Sequence, residues 1–256
     1  MSNENHTIVM TIDINCDLGE SFGRYSVGND LEIMPYISSC NIACGFHGGD
    51  PRVIIETIKN AHHYKLKIGA HPSYPDLQGF GRRRMEVPSD ELIPIIQYQI
   101  AVIDKLSNIY ADGLHHVKPH GALYNHSFDN EDVAQAIVSA MAPWKDQAFL
   151  YAQYGSALVS VAEQKGLKVM LEGFADRKYS KNLNLMSRQK TGAVHSQIGT
   201  MVDQVVEMVK HKKIKFDNSS KPIRVETICI HGDHPDAVEI AKIISTALQN
   251  EGISIH

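Results

Sequence analysis

No run in this 256-residue chain approaches the roughly 20 consecutive apolar residues that a membrane span needs. The start, Met1-Ser-Asn-Glu-Asn-His-Thr7, is polar and lacks the apolar stretch of a secretory signal, so a cytoplasmic protein that does not enter a membrane is expected. Positive charge is not in excess either. A net charge of -4 argues against the broad basic footprint of a nucleic-acid binder, and the local run Lys210 to Lys215 reads as a solvated helix end. Cysteine is scarce: Cys16, Cys40, Cys44 and Cys229 sit in or beside apolar runs, as reduced core thiols do, rather than as a disulfide frame. The spacing Cys40-x3-Cys44-x2-His47 has no second Cys or His pair to complete a zinc site.

Several catalytic signatures are missing. There is no Gly-x-x-x-x-Gly-Lys-Ser/Thr loop and no Gly-x-Gly-x-x-Gly after a strand, which argues against an ordinary P-loop or dinucleotide fold. No Gly-x-Ser-x-Gly elbow presents a serine, and no thiol has an obvious histidine partner. Acid/base or metal-assisted chemistry is therefore favoured over a covalent intermediate. Internal repeats and low-complexity segments are also lacking.

What the chain does have is an alternation of β-branched apolar runs with longer helical patterns, the mark of parallel strands joined by crossover helices. Strands are predicted at Thr11 to Asn15, Ser39 to Ala43, Leu66 to Ala70, His115 to Lys118, Phe149 to Ala152, Leu167 to Leu171 and Glu226 to Ile230. Helices are predicted at Pro51 to Tyr64, Ser89 to Tyr110, Glu131 to Met141, Ser156 to Lys165, Gln197 to Lys210 and Asp236 to Asn250. Asp50 before Pro51 reads as an N-cap, Gly166 and Gly252 as helix stops, and Pro94 as a kink early in its helix. The length and the absence of a linker fit one domain over residues 1–256. The strand period of two puts Asp13, Asn15 and Asp17 on one face and groups His116, Lys118 and His120, as well as Thr227, Cys229 and His231. Strands polar on one face suggest a closed or nearly closed barrel with a lined interior, although an open doubly wound sheet gives a similar alternation.

Polar clusters close successive strands. His47, His71, His120 and His231 each follow a strand beside Gly or Pro, where a sharp turn exposes a side chain, whereas His6, His62, His63, His211 and His256 read as surface residues. Asp17, Glu20, Glu172, Asp176 and Asp233 supply carboxyl groups at the same edge. An inward Lys118 is costly unless it pairs with an anionic ligand or with a carboxylate such as Asp13 or Asp17. Gly45 to Asp50, running into a helix, offers backbone N–H groups to an anion or forms a tight turn in which Asp50 takes those donors. The glycine-hinged basic loop Gly79 to Arg84 either covers an anionic substrate or stays solvated.

The runs Asn15 to Gly23, Asn41 to Pro51, Gly69 to Arg82, Val117 to Asn125, Phe174 to Tyr179 and His231 to Asp233 together closely resemble the LamB/YcsF family, in order from about Asp13 to the C-terminal helix. The resemblance implies a seven-stranded parallel (β/α) barrel of the glycoside hydrolase/deacetylase-like kind. It also implies opening of 5-oxo-L-proline to L-glutamate coupled to hydrolysis of ATP with Mg²⁺, in concert with two further subunits, B and C. Homo-oligomerisation, direct binding of a metal and the subunit that holds ATP are left open; the missing P-loop points to a contribution from the partners. Phosphorylation of the lactam oxygen followed by water addition is the expected course. The candidate catalytic residues are Asp17, Glu20, His47, His71, Lys118 and His120, and the candidate substrate contacts are Asn15, Asn41, Arg82, Asp176, Arg177 and His231. Two other readings are a metal-dependent deacetylase or amidohydrolase with an ion on Asp17, His47 and His71, and a lactam-binding subunit without chemistry of its own. Gly48, Gly173 and the turn Lys181 to Asn184 depart from the family pattern and bear on loop geometry.

Overall fold

A computed structural model describes residues 10–186, 190–216 and 219–256; the polar start Met1 to Thr7, with His6, lies outside them. In chain order the elements are β1 (Met10–Leu18), α1 (Asp30–Ile33), β2 (Ser39–Ala43), α2 (Pro51–His63), β3 (Lys67–His71), α3 (Ser89–Tyr110), β4 (His116–Val117), α4 (Gly121–His126) and α5 (Glu131–Met141). They continue as β5 (Phe149–Gln153), α6 (Ala157–Gln164), β6 (Val169–Phe174), α7 (Ile198–Lys210), β7 (Lys213–Phe216), β8 (Ser219–Pro222), β9 (Thr227–Ile230), α8 (Ala237–Asn250) and β10 (Ile253–Ile255).

Seven parallel strands close a barrel in the order β1-β2-β3-β4-β5-β6-β9, with β9 returning to β1 through pairs such as Asn15 with Cys229. This closure decides for the barrel over the open sheet. β10 pairs with Met10 to Ile12, the part of β1 that projects beyond β9. Every predicted strand is present, and β6 lies further along the chain than predicted, reaching Phe174.

The strand pleat sends Ile12, Ile14 and Cys16 outwards against the helices, where the buried faces of α3 (Ile96, Ile100, Ile103) and α8 (Ile240, Ile244, Leu248) complete an apolar shell. Each such side chain contributes about 1.5–3 kcal/mol on burial. Inwards, the barrel is polar. Asp13 accepts hydrogen bonds from Ser38 Oγ and Ser39 Oγ (both 2.7 Å), Thr227 Oγ1 (2.6 Å) and Tyr151 OH (3.1 Å). One layer up, Asn15 Nδ2 donates to Glu172 (3.0 Å) and Thr227 (2.7 Å), and His116 Nε2 donates to Asn41 Oδ1 (2.7 Å). The His116 ring fits because position 69 is glycine: a Cβ there would lie 2.2 Å from His116 Nε2.

Helix signals hold at both ends. The Asp50 carboxylate accepts from the N–H groups of Arg52 (2.9 Å) and Val53 (3.0 Å), with Pro51 in the first turn. Gly166 and Gly252 adopt φ of +75° and +74° just after α6 and α8. α3 runs through Pro94 as a single helix. The charged run Lys210 to Lys215 begins as the exposed helix end that was expected and continues as a strand. α7 stops at Lys210, and Lys213–Phe216 pairs antiparallel with Ser219–Pro222, burying Ile214 while its lysine neighbours stay exposed. Among the described residues no helix is long and apolar enough to cross a membrane.

Candidate active site

Because the barrel strands run parallel, the segments that follow them all leave at one end. There they enclose a cavity of about 420 Å³, whose wall includes Asp17, Glu20, His71, Lys118, His120 and His231. Arg82 and Arg177 also line it, the first ion-paired with Asp233 and the second donating to the Met186 carbonyl.

Lys118 is the centre of the floor. Its buried Nζ lies 3.0 Å from Asp17 Oδ1, 2.9 Å from Glu172 Oε1, and 3.0 Å from both Asn15 Oδ1 and Cys229 Sγ. The partner expected as Asp13 or Asp17 is thus Asp17, joined by Glu172. Burial disfavours the ammonium, but the charges around it, Asp17 first, outweigh burial and hold its pKa well above the ordinary lysine range. The same pairing works on Asp17: burial opposes ionisation, yet His71 and Lys118 hold the carboxyl well below its ordinary range. Glu20 goes the other way, pushed well above the usual carboxyl range by burial and then by Asp17 and Asp233. Two carboxyl groups of one pocket are thus shifted in opposite directions.

The histidines fall into two groups. His231 donates from Nδ1 to Asp176 Oδ1 at 2.8 Å, which leaves Nε2 for a molecule in the cavity. On the opposite wall, His71 and His120 meet at 3.0 Å, and His47 stacks on His120 with ring centroids 3.7 Å apart. His47 Nε2 lies 3.2 Å from Glu20 Oε1, and its buried Nδ1 has no partner among the described residues. Burial, and then the neighbouring imidazoles, push His47 well below the usual histidine range; burial first and His71 next take His120 down to about 3.

Several expectations change. Asn15 and Asn41, expected to touch substrate, are fully buried beneath the floor, where Asn41 Nδ2 donates to Asn15 Oδ1 and Asp17 Oδ1 (both 2.8 Å); they position Asp17 and Lys118. Asp176 stands behind His231, and His47 behind Glu20, rather than on the cavity wall. The Asp17, His47 and His71 trio does not converge: Asp17 Oδ1 is 3.4 Å from His71 Nε2 but is held by Lys118 and Asn41, while His47 turns to Glu20. At Gly45 to Asp50 the turn wins over the anion site, since Asp50 occupies the α2 donors and also accepts from Gly23 N–H. In the basic loop, Arg83 pairs with Asp76 and Arg84 with Glu86, so Arg82 is the arginine of the three that reaches the cavity.

Two of the departures from the family pattern have local consequences. A Cβ at Gly48 would sit 2.7 Å from the Glu20 carbonyl oxygen, so this glycine sets how closely the Glu20 loop approaches. A Cβ at Gly173 would meet Val225 at 2.8 Å.

Phe80, Tyr124, Glu172 and Cys229 were not among the candidate catalytic and substrate residues. Tyr124 donates to Glu172 at 2.6 Å, and Phe80, in the left-handed region at φ +55°, aims its carbonyl at His120 Nε2 (2.9 Å). The alternation that brings Asp13 and Asp17 inwards also brings in Glu172 and Phe174, so that signal was present; the φ of Phe80 has no sequence signature.

The sequence profile of the LamB/YcsF family matches residues 12–256. The A subunit of the 5-oxoprolinase of Staphylococcus carnosus is 45% identical over 247 residues, covering 96% of this chain and 98% of the relative. Its counterpart in Pyrococcus horikoshii is 42% identical, over 96% and 97% of the two chains. The crystal structure of a lactam utilization protein from Thermus thermophilus superposes with a TM-score of 0.91 at 36% identity, covering 96% of this chain and 99% of that one.

Proposed function

This chain belongs to the LamB/YcsF family, and from that premise we propose that its pocket opens the ring of 5-oxo-L-proline to L-glutamate, as one subunit of an ATP-driven enzyme completed by subunits B and C. The observation that carries this reading is the buried Lys118 ammonium on the cavity floor, with the His231–Asp176 pair on the wall.

Ring opening requires water to add to the amide carbon and a proton to reach the ring nitrogen as the C–N bond breaks. Lys118 places a positive charge beside the oxyanion that develops on the carbonyl oxygen. His231, oriented through Nδ1 by Asp176, is placed to take a proton from water at Nε2 and return it to the leaving nitrogen. Asp17, held below the usual carboxyl range, is a weak base and serves to keep Lys118 charged and in place. Arg82 is a cation suited to the substrate carboxylate.

A five-membered lactam readily re-forms, which is the chemical reason for coupling its opening to ATP. The residues here do not offer a nucleotide the N-terminus of α2, which is capped by Asp50, and no phosphate-binding loop precedes it. Subunits B and C are therefore assigned the nucleotide and its Mg²⁺.

The test is glutamate formation from 5-oxo-L-proline by the purified chain, with and without Mg-ATP and the two partner subunits. Formation is expected only in the full mixture, and there His231→Asn is expected to lower kcat about 10²–10⁴-fold. No glutamate under any condition would refute the assignment.

A further inference from the structure

We propose that Glu20, His71 and His120 form a binding site for one divalent transition-metal cation, Zn²⁺ above all, on the wall of the pocket. The positions of the ring protons follow from their acceptors. His71 Nδ1 lies 2.7 Å from the Lys118 carbonyl oxygen, and His120 Nε2 lies 2.9 Å from that of Phe80. A carbonyl oxygen only accepts, so each of these nitrogens carries a hydrogen, which in the neutral ring that binds a metal is its only one. The other two, His71 Nε2 and His120 Nδ1, are then bare, and they face each other at 3.0 Å.

Two lone pairs at that separation repel unless something positive lies between them. The distance is also that of two ligands on one ion: with metal–nitrogen bonds of about 2.0–2.1 Å, neighbouring donors around a four- or six-coordinate ion sit about 2.9–3.4 Å apart. Glu20 supplies a third donor, its Oε1 being 3.7 Å from His120 Nδ1. Asp17 Oδ1, 3.4 Å from His71 Nε2, adds negative charge beside the same point. One ligand atom from each of Glu20, His47, His71 and His120 lies within 4.8 Å of the others. His47 is not assigned to the first set of ligands. Its ring lies parallel to that of His120 (4°) at a centroid distance of 3.7 Å, so an ion in the plane of one ring is out of the plane of the other. Its part is to hold Glu20.

The supports around the trio suit a metal site. Imidazole ligands usually give their second N–H to a carbonyl or carboxylate, which fixes tautomer and ring orientation, and both histidines do so here. A proton shared between the two nitrogens would relieve their repulsion but leave Glu20 out; a cation draws on all three donors. Two imidazoles and one carboxylate suit Zn²⁺, whereas Mg²⁺ prefers oxygen ligands, so this ion is distinct from the Mg²⁺ that accompanies ATP. The cation site shares the pocket with the lactam, but its occupancy is read without lactam, nucleotide or partners.

The chelator-stripped full chain is titrated with ZnCl₂ by calorimetry and with CoCl₂ by visible absorption. One equivalent is expected to bind, with the intense d–d bands of four- or five-coordinate Co²⁺. Affinity is expected to fall about 100-fold or more in His71→Ala and His120→Ala, about 10–100-fold in His47→Ala, and not at all in His62→Ala, which removes a surface imidazole beside Asp112. Failure of the unmodified chain to bind stoichiometrically, or equal affinity in His71→Ala and His120→Ala, overturns the proposal. Should those variants unfold, the Co²⁺ spectrum of the unmodified chain decides, a weak six-coordinate aqua-type spectrum counting against the site. Lactam turnover and metal binding are thereby separable, since either can be found without the other.

Discussion

Lys118 shows how a single residue can serve both the site and the stability of the barrel. Its ammonium neutralises Asp17 and Glu172, which come from β1 and β6. Replacing it by methionine removes the cation and leaves two buried carboxylates facing each other, a loss of about 3–5 kcal/mol for a broken buried pair. Lys118→Met is therefore expected to lower the urea midpoint markedly as well as to abolish turnover. The double variant Lys118→Met/Glu172→Gln is expected to regain part of that stability and none of the activity. If equilibrium unfolding finds the double variant no more stable than the single one, the charges are not what the lysine offsets.

At the scale of an element, α2 owes its start to Asp50, whose carboxylate accepts from two helix N–H groups and from Gly23 of the β1–α1 loop. Those backbone donors, Val53 first and Gly23 next, hold its carboxyl below the ordinary range. A depressed folded-state pKa means that the stabilisation is present above the unfolded value, about 3.9, and is lost as pH falls through the folded one. Asp50→Ala is expected to cost about 1 kcal/mol at neutral pH. The gap to the parent should narrow towards pH 3 in urea titrations, while Asp50→Asn should stay near the parent at neutral pH. Elements of this kind were legible because cap, proline and period agree locally. α1, α4 and the β7–β8 hairpin were not: a few residues carry too little periodicity, and the lysines of β7 mask the one inward Ile214.

For the whole molecule, closure depends on groups far apart in sequence. Asp13 gathers donors from Ser38, just before β2, and from β2, β5 and β9 at the end of the barrel away from the cavity. Asp13→Ala is expected to orphan these donors and cost about 3 kcal/mol or more, with turnover per folded molecule unchanged; equilibrium unfolding alongside activity in the full mixture checks both. By itself the sequence determined the strands, the main helices, the inward sets Asp13–Asn15–Asp17 and His116–Lys118–His120, and the strand ends at which chemistry gathers, because these follow from a period of two and from turn chemistry within a few residues. Only the tertiary structure decided that the sheet closes, that Asn15 and Asn41 lie under the floor, that Glu172 shares Lys118 with Asp17, and that His71 meets His120. Those relations join residues 24 to 214 positions apart, and register between distant strands is set by packing rather than by any local pattern.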